Sequence, residues 1–176
     1  MMQDAEDPFP SNETPQFAID IADQQSILSV DERQIRLAIE PILVEASIAC
    51  ARISVAVVDD PTIHALNRRY LQHDYPTDVL SFVLERMDDS LEGQIIVSTD
   101  TARSEAAHYG WSPEDELLLY VIHGTLHLVG FDDTTPAARQ QMRDQECRAL
   151  ERFGLTPPWD TLSSKCDSTE TEDPDS

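Results

Sequence analysis

Residues 112–133 constrain the fold more than any other stretch. Ser112-Pro113-Glu114-Asp115 is a helix start, with a hydroxyl cap, Pro at the first helical position and acids in the first turn. An apolar run follows, interrupted by His123 and His127. Their spacing of four places both imidazoles on one helix face, one turn apart, where they can share a cation. Gly130 then stops the helix, and Asp132 or Asp133 can swing back as a third ligand. Two His and a carboxylate, with a position open for water, form the donor set of a catalytic zinc site. Two His at this spacing alone would suit a half-buried helix. The glycine stop and the adjacent acids favour the metal.

The residues inside the motif narrow the chemistry. A peptidase of the H-E-x-x-H type needs a Glu directly after the first His as its base. That position is Gly124, which cannot take a proton and is expected to leave room for backbone or a bulky ligand near the metal. Glu116 lies seven residues before His123 and faces roughly the same way. It is a candidate to accept an imidazole N–H, the alternative being an exposed helix acid.

The rest of the chain alternates strands and helices. Gln16 to Ala22 alternates apolar and polar residues and reads as a strand. A helix capped by Asp31 runs to about Ala49, with Pro41 expected to kink or split it. Ala51 to Val58 is the clearest strand. Asp60-Pro61 opens a helix on which Ile63, Leu66 and Tyr70 share a face. Val79 to Leu84 and Gly93 to Ser98 read as an antiparallel pair, with 85–92 as a loop. A helix capped by Thr99 or Asp100 ends at Gly110. The final helix starts at Thr135-Pro136 and ends at Gly154. The expected fold is α+β: a small mixed four-stranded sheet with about five helices packed on it, the zinc-site helix lying in the second half.

Composition sets the boundaries. The 176 residues suit one domain, placed at 16–157, between acidic disordered tails at 1–15 and 158–176. Cys50, Cys147 and Cys166 are odd in number and scattered, which fits a reducing cytoplasm rather than a disulfide framework. No apolar run reaches the ~18–20 residues of a membrane helix, so no membrane partner is expected. The N-terminus lacks the basic and apolar regions of a secretory signal. The net charge of −22 repels nucleic acid at long range. Residues 14–159 alone hold 24 acids against 11 Arg, so a polyanion would need a local Arg cluster or the metal. Arg68 and Arg69 are the densest positive charge, readable as a phosphate clamp or a solvated helix face. Asp78, after Thr77, could order a loop or face a substrate.

Two stretches together resemble the YbeY family of bacterial metal-dependent endoribonucleases. The family pattern H-G-x-L-H-L-x-G-[YF]-D-H is matched by HGTLHLVGFDD, from His123 to Asp133. The P-T-D-V-L-S-F block stands at Pro76 to Phe82, preceded by Asn67 and Tyr70. Glu116-Leu117, Gly93, Met142 and Glu146 also match. The resemblance implies one zinc ion per chain, or another divalent ion, held in a cleft by His123, His127 and Asp133, with Asp132 beside the third ligand. It implies single-strand-specific cleavage of RNA in 3′-end maturation of small-subunit (16S) rRNA and ribosome quality control; metal-bound water is the expected nucleophile, the ribose 2′-OH being the alternative, and no catalytic side chain is assigned. The implied partners are single-stranded rRNA and the small ribosomal subunit, not DNA. Arg68, Arg69 and Asp78 are the substrate-binding candidates. Two positions depart from the pattern. Asp133 replaces the third family His, which keeps a competent ligand but adds negative charge. Leu71 replaces an Arg thought to serve RNA, which gives weight to a second reading: a ribosome-assembly factor with a structural metal and little catalysis. A third is a metal hydrolase acting on a small substrate or a peptide.

Overall fold

A computed structural model describes residues 14–157 and residue 159. The elements are β1 (Gln16–Asp23), α1 (Glu32–Glu45), β2 (Cys50–Val58), α2 (Asp60–Leu71), β3 (Val79–Met87), β4 (Ser90–Ser98), α3 (Thr99–Tyr109), α4 (Pro113–Leu128) and α5 (Pro136–Glu151). The expected acidic tails lie outside the described residues, apart from Thr14, Pro15 and Trp159. Trp159 packs on the helical core instead of belonging to a free tail.

The sheet order is β1-β2-β4-β3, with β1, β2 and β4 parallel and β3 antiparallel to β4. It is thus the mixed four-stranded sheet of an α+β fold. The expected β3–β4 pair is present, with Val79 opposite Val97. The 85–92 loop is not. Both strands extend through it, leaving only Asp88 and Asp89 to turn, and a bulge lies between Val83 and Glu85. β3 is an edge strand whose outer half is exposed at Val83, Leu84 and Met87. Burial imposes no apolar alternation there, so the extension rests on backbone pairing that composition does not display.

α4 is the centre of the molecule. Eleven of its 16 residues are buried, as expected for a helix covered on nearly every side. Leu117, Tyr120, Val121 and Leu128 join the sheet core with α1 residues Ile35, Ile39 and Leu43. Leu118, Leu119, Ile122 and Leu126 face a second core with Met142, Ala149 and Leu150 of α5. α2 covers the other sheet face through Ile63, against Leu80 and Ile96. Its buried face runs through Asn67, while Tyr70 is exposed, against the expected grouping with Ile63.

Pro41 does not split α1, which runs unbroken to Glu45. The hydrogen bond it forgoes would have gone to the carbonyl of Leu37, an exposed position where water can serve. α3 is capped one residue earlier than expected, by Ser98, whose hydroxyl accepts from the Thr101 amide at 3.3 Å.

Candidate metal centre

The last two turns of α4 carry His123 and His127 with their Nε2 atoms 3.0 Å apart. The chain leaves the helix through Gly130, whose φ of +109° is a conformation that side chains rarely adopt. This reversal returns Asp133 to the two imidazoles. Its Oδ2 lies 3.6 Å from Nε2 of His123 and 3.8 Å from Nε2 of His127. Asp132 braces the reversal, accepting from the Asp133 amide at 2.8 Å and the Thr134 hydroxyl at 2.5 Å. Those bonds, the Thr134 hydroxyl first, hold its carboxyl below the usual range. Asp132 is therefore a loop brace, and Asp133 is the carboxylate presented to the histidines.

These three residues form a group that could hold a metal ion. Ligands at about 2.0–2.1 Å in a tetrahedron stand about 3.3 Å from one another. The observed separations of 3.0, 3.6 and 3.8 Å bracket that spacing. Two imidazoles and a carboxylate are also donors that a borderline divalent ion accepts.

The histidine is oriented from behind by a residue that motif reading leaves without a role. Nδ1–H of His123 donates to Oε1 of Glu146 on α5 at 2.6 Å. With Nδ1 committed to the carboxylate, Nε2 is the ring atom turned towards Asp133 and His127. Burial works to lower the His123 pKa. The Glu146 hydrogen bond and charge, with Asp78 and Asp133, outweigh it and raise the pKa. Glu116, a candidate for an imidazole N–H or for an exposed helix acid, is buried and accepts from Nε1 of Trp111 at 2.6 Å. Burial pushes its carboxyl up.

A cleft of about 410 Å³ opens beside His123 and is lined by Asp78, Glu105, Glu116, Tyr120, Arg143 and Glu146 among others. Asp78 reaches it from the start of β3, where its carbonyl accepts from the Ser98 amide at 2.9 Å. Its carboxylate accepts from the Thr77 hydroxyl and the Val79 amide at 3.1 and 2.8 Å. Asp78 thus both orders the turn and lines the cleft. Arg68 and Arg69 are exposed at the end of α2 and do not line it. The Arg69 guanidinium lies 5.4 Å from the Tyr70 ring centroid. Arg143 is the basic residue that reaches the cleft, and no local motif marks it.

Gly124 does not leave space beside the metal group. A Cβ there would lie 2.9 Å from the Ile95 Cγ2 and 3.1 Å from the Val79 Cγ2. The position faces the sheet, so its small size serves packing.

A profile of the family described as Endoribonuclease YbeY matches residues 20–154. A protein of that name from Rhodopirellula baltica is 43% identical over 141 residues, covering 74% of this chain and 71% of its own. One from Desulfitobacterium hafniense is 46% identical over 115 residues, covering 60% and 73% respectively. The solution structure of TM1509 from Thermotoga maritima matches with a TM-score of 0.54 at 22% identity, covering 89% of this chain and 100% of that one. That likeness concerns the fold.

Proposed function

Since the chain belongs to the Endoribonuclease YbeY family, we propose that it is a metal-dependent endoribonuclease acting on single-stranded ribosomal RNA. The reading extends to zinc as the ion, to 3′-end maturation of 16S rRNA and ribosome quality control, and to the cytoplasm as the site of action. Arg68, Arg69 and Asp78 remain candidates for binding the strand.

The carrying observation is the convergence of His123, His127 and Asp133, with His123 also lining a cleft and its imidazole held by Glu146. A divalent ion there would polarise a phosphoryl oxygen and offset the charge that develops as a phosphodiester is attacked. The protein's own part is positional. Glu146 keeps the His123 proton on Nδ1. Gly130 and Asp132 fix the loop that presents Asp133. The carboxylate of Asp133 reduces the positive charge of the loaded site relative to a third imidazole, which favours harder divalent ions.

Metal analysis of the purified protein, with cleavage of a single-stranded rRNA fragment, tests this. Wild type should carry one divalent ion per chain and cut the fragment. His127→Ala should lose both properties. Asp133→Ala should lose most of the metal, and Asp133→His should keep it. Unchanged metal content in His127→Ala would end the reading. The assembly-factor reading draws on two observations: Leu71 stands exposed where the family Arg is expected, and the cleft is rich in carboxylates. Full metal occupancy and sedimentation with small ribosomal subunits, without cleavage, would favour it.

A further inference from the structure

The segment that leaves α2 is exposed without a break from Arg68 to Pro76, and it is rich in rings. Tyr70 and Tyr75, two of the chain's four tyrosines, are 57% and 53% exposed. His73 lies against Tyr75 as a stacked pair, with ring centroids 5.3 Å apart and planes within 12° of parallel. The Tyr75 hydroxyl and Nδ1 of His73 share a hydrogen bond of 3.2 Å. Asn67, itself buried, anchors the pair from below. Its Nδ2 donates to the Tyr75 carbonyl at 2.9 Å, and its backbone carbonyl accepts from the His73 amide at 3.4 Å. Tyr70 is steadied by Phe82, edge-to-face at 6.0 Å, and by the Arg69 guanidinium at 5.4 Å. A single exposed ring is ordinary, but a cluster of rings held in fixed orientation marks a contact surface.

We propose that Tyr75, His73 and Tyr70 form a stacking platform for the bases of single-stranded RNA, from which the strand runs across Pro76 and Thr77 towards His123. The inference rests on the endoribonuclease reading and names the surface that grips the strand. Charge favours a nucleic acid over an apolar partner here. Residues 61–73 hold Arg68 and Arg69 and no acid, in a chain with 34. The next acid, Asp74, is hydrogen-bonded to His64 at 2.9 Å. A phosphate chain therefore meets less repulsion on this surface than inside the cleft, which Asp78, Glu105, Glu116 and Glu146 line. Position favours it too. Tyr75 directly precedes Pro76, Thr77 and Asp78, which line the cleft together with His123. A strand lying on the platform is thus led to the candidate metal centre. The chemistry is that of single-strand binding: every unpaired base has a π-face, and one laid on the Tyr75–His73 pair continues a stack already formed. Because Asn67 and Phe82 hold the rings beforehand, little ordering is left for binding to offset. Leu71, exposed beside them, adds no charge, so the grip falls on the rings more than on cations.

The test is equilibrium binding by the full, metal-loaded chain of a labelled single strand whose 2′-O-methyl phosphorothioate linkages resist cutting. Tyr75→Phe keeps the ring, and Tyr75→Leu keeps apolar bulk without it. The side chain is exposed, so both variants should melt as wild type does. Tyr75→Phe should bind within about twofold of wild type, and Tyr75→Leu about tenfold more weakly. Tyr70→Leu should weaken binding by a similar factor. Strands carrying the fluorescent base 2-aminopurine at successive positions report stacking directly. At one position or more, wild type and Tyr75→Phe should quench the base on binding, and Tyr75→Leu should not. If folded Tyr75→Leu binds as tightly as wild type, or if no position is quenched, the platform is wrong, while cleavage of rRNA by wild type leaves the endoribonuclease reading standing. If Tyr75→Leu binds the free strand normally but no longer sediments with small ribosomal subunits, the surface serves a protein and the proposal is overturned. Wild type that neither binds this strand nor cuts rRNA would overturn both readings.

Discussion

Single side chains set the chemistry of the candidate metal centre, and the most consequential is Glu146. Its carboxylate is 23 residues from His123 in sequence and 2.6 Å away in space. The two His were legible because a helix repeats every 3.6 residues, so spacing alone puts them together. The second contact depends on how α5 packs on α4, which spacing does not encode. Spacing within α4 points instead to Glu116, on the same helix, whose carboxylate serves Trp111. The His123–Glu146 pair has a pH consequence. The folded pKa of His123 is raised above its ordinary value of 6.5. In the metal-free protein the pair's stabilisation is therefore complete below about 6.5 and is lost as pH rises through the raised value. Metal must displace a proton from the ring, so metal affinity should climb through the same window. Glu146→Gln removes the stabilising charge. It should lower the His123 pKa and weaken metal binding about 10–100-fold. NMR titration of the His123 ring and metal titration at several pH values check both effects. An unshifted His123 titration in Glu146→Gln would show that the pair does not control the ring.

At the scale of elements, α4 is both the structural axis and the carrier of the site. Its start, its stop at Gly130 and the face bearing the histidines were all legible, because caps, glycine and periodicity act locally. The identity of Gly124 rules out a peptidase base at that position, but it does not reveal that the position packs on the sheet and leaves no room beside the metal group. Which face of a helix meets the sheet is a tertiary fact, and here Ile95 and Val79 occupy that space. A prediction follows from the geometry. Gly124→Ala gains about 1 kcal/mol of helix propensity. Its methyl would meet two β-branched side chains whose γ2 methyls cannot move without changing χ1. Overpacking of this kind costs about 1–3 kcal/mol, so the net effect should be destabilising by about 1 kcal/mol. Because α4 would be pushed off the sheet, metal affinity should fall as well. Denaturant unfolding of metal-free protein measures the first effect and metal titration the second. Increased stability in Gly124→Ala would show that α4 has freedom to shift. The hairpin was less legible: residues 85–92 looked like loop because the end of an edge strand is exposed and carries no burial pattern.

For the whole molecule, the governing fact is a net charge of −22 in a protein proposed to bind a polyanion. The charge is not confined to the ends, because residues 14–159 hold more than twice as many acids as Arg. Long-range electrostatics therefore oppose the approach of RNA, and under the endoribonuclease reading binding would rely on a few short-range contacts at the candidate metal centre and the cleft beside it. These two ranges respond differently to salt. The Debye length falls from about 30 Å at 0.01 M to about 8 Å at 0.15 M. Over that interval the repulsion between distant charges is screened, while contacts within the cleft are screened far less. The association rate with a single strand should therefore rise with ionic strength over this range, opposite to the behaviour of basic nucleic-acid-binding proteins. The equilibrium constant should depend only weakly on salt, because each phosphate neutralised contributes a slope of only about −0.7 for single strands and few cations are placed to neutralise one. Stopped-flow association of a labelled, cleavage-resistant strand with the metal-loaded full chain, across 0.01–0.15 M monovalent salt, reads both quantities. A steep fall in association rate with salt would mean that a cluster such as Arg68–Arg69 on α2 steers the strand, and would move the binding path away from the cleft beside His123.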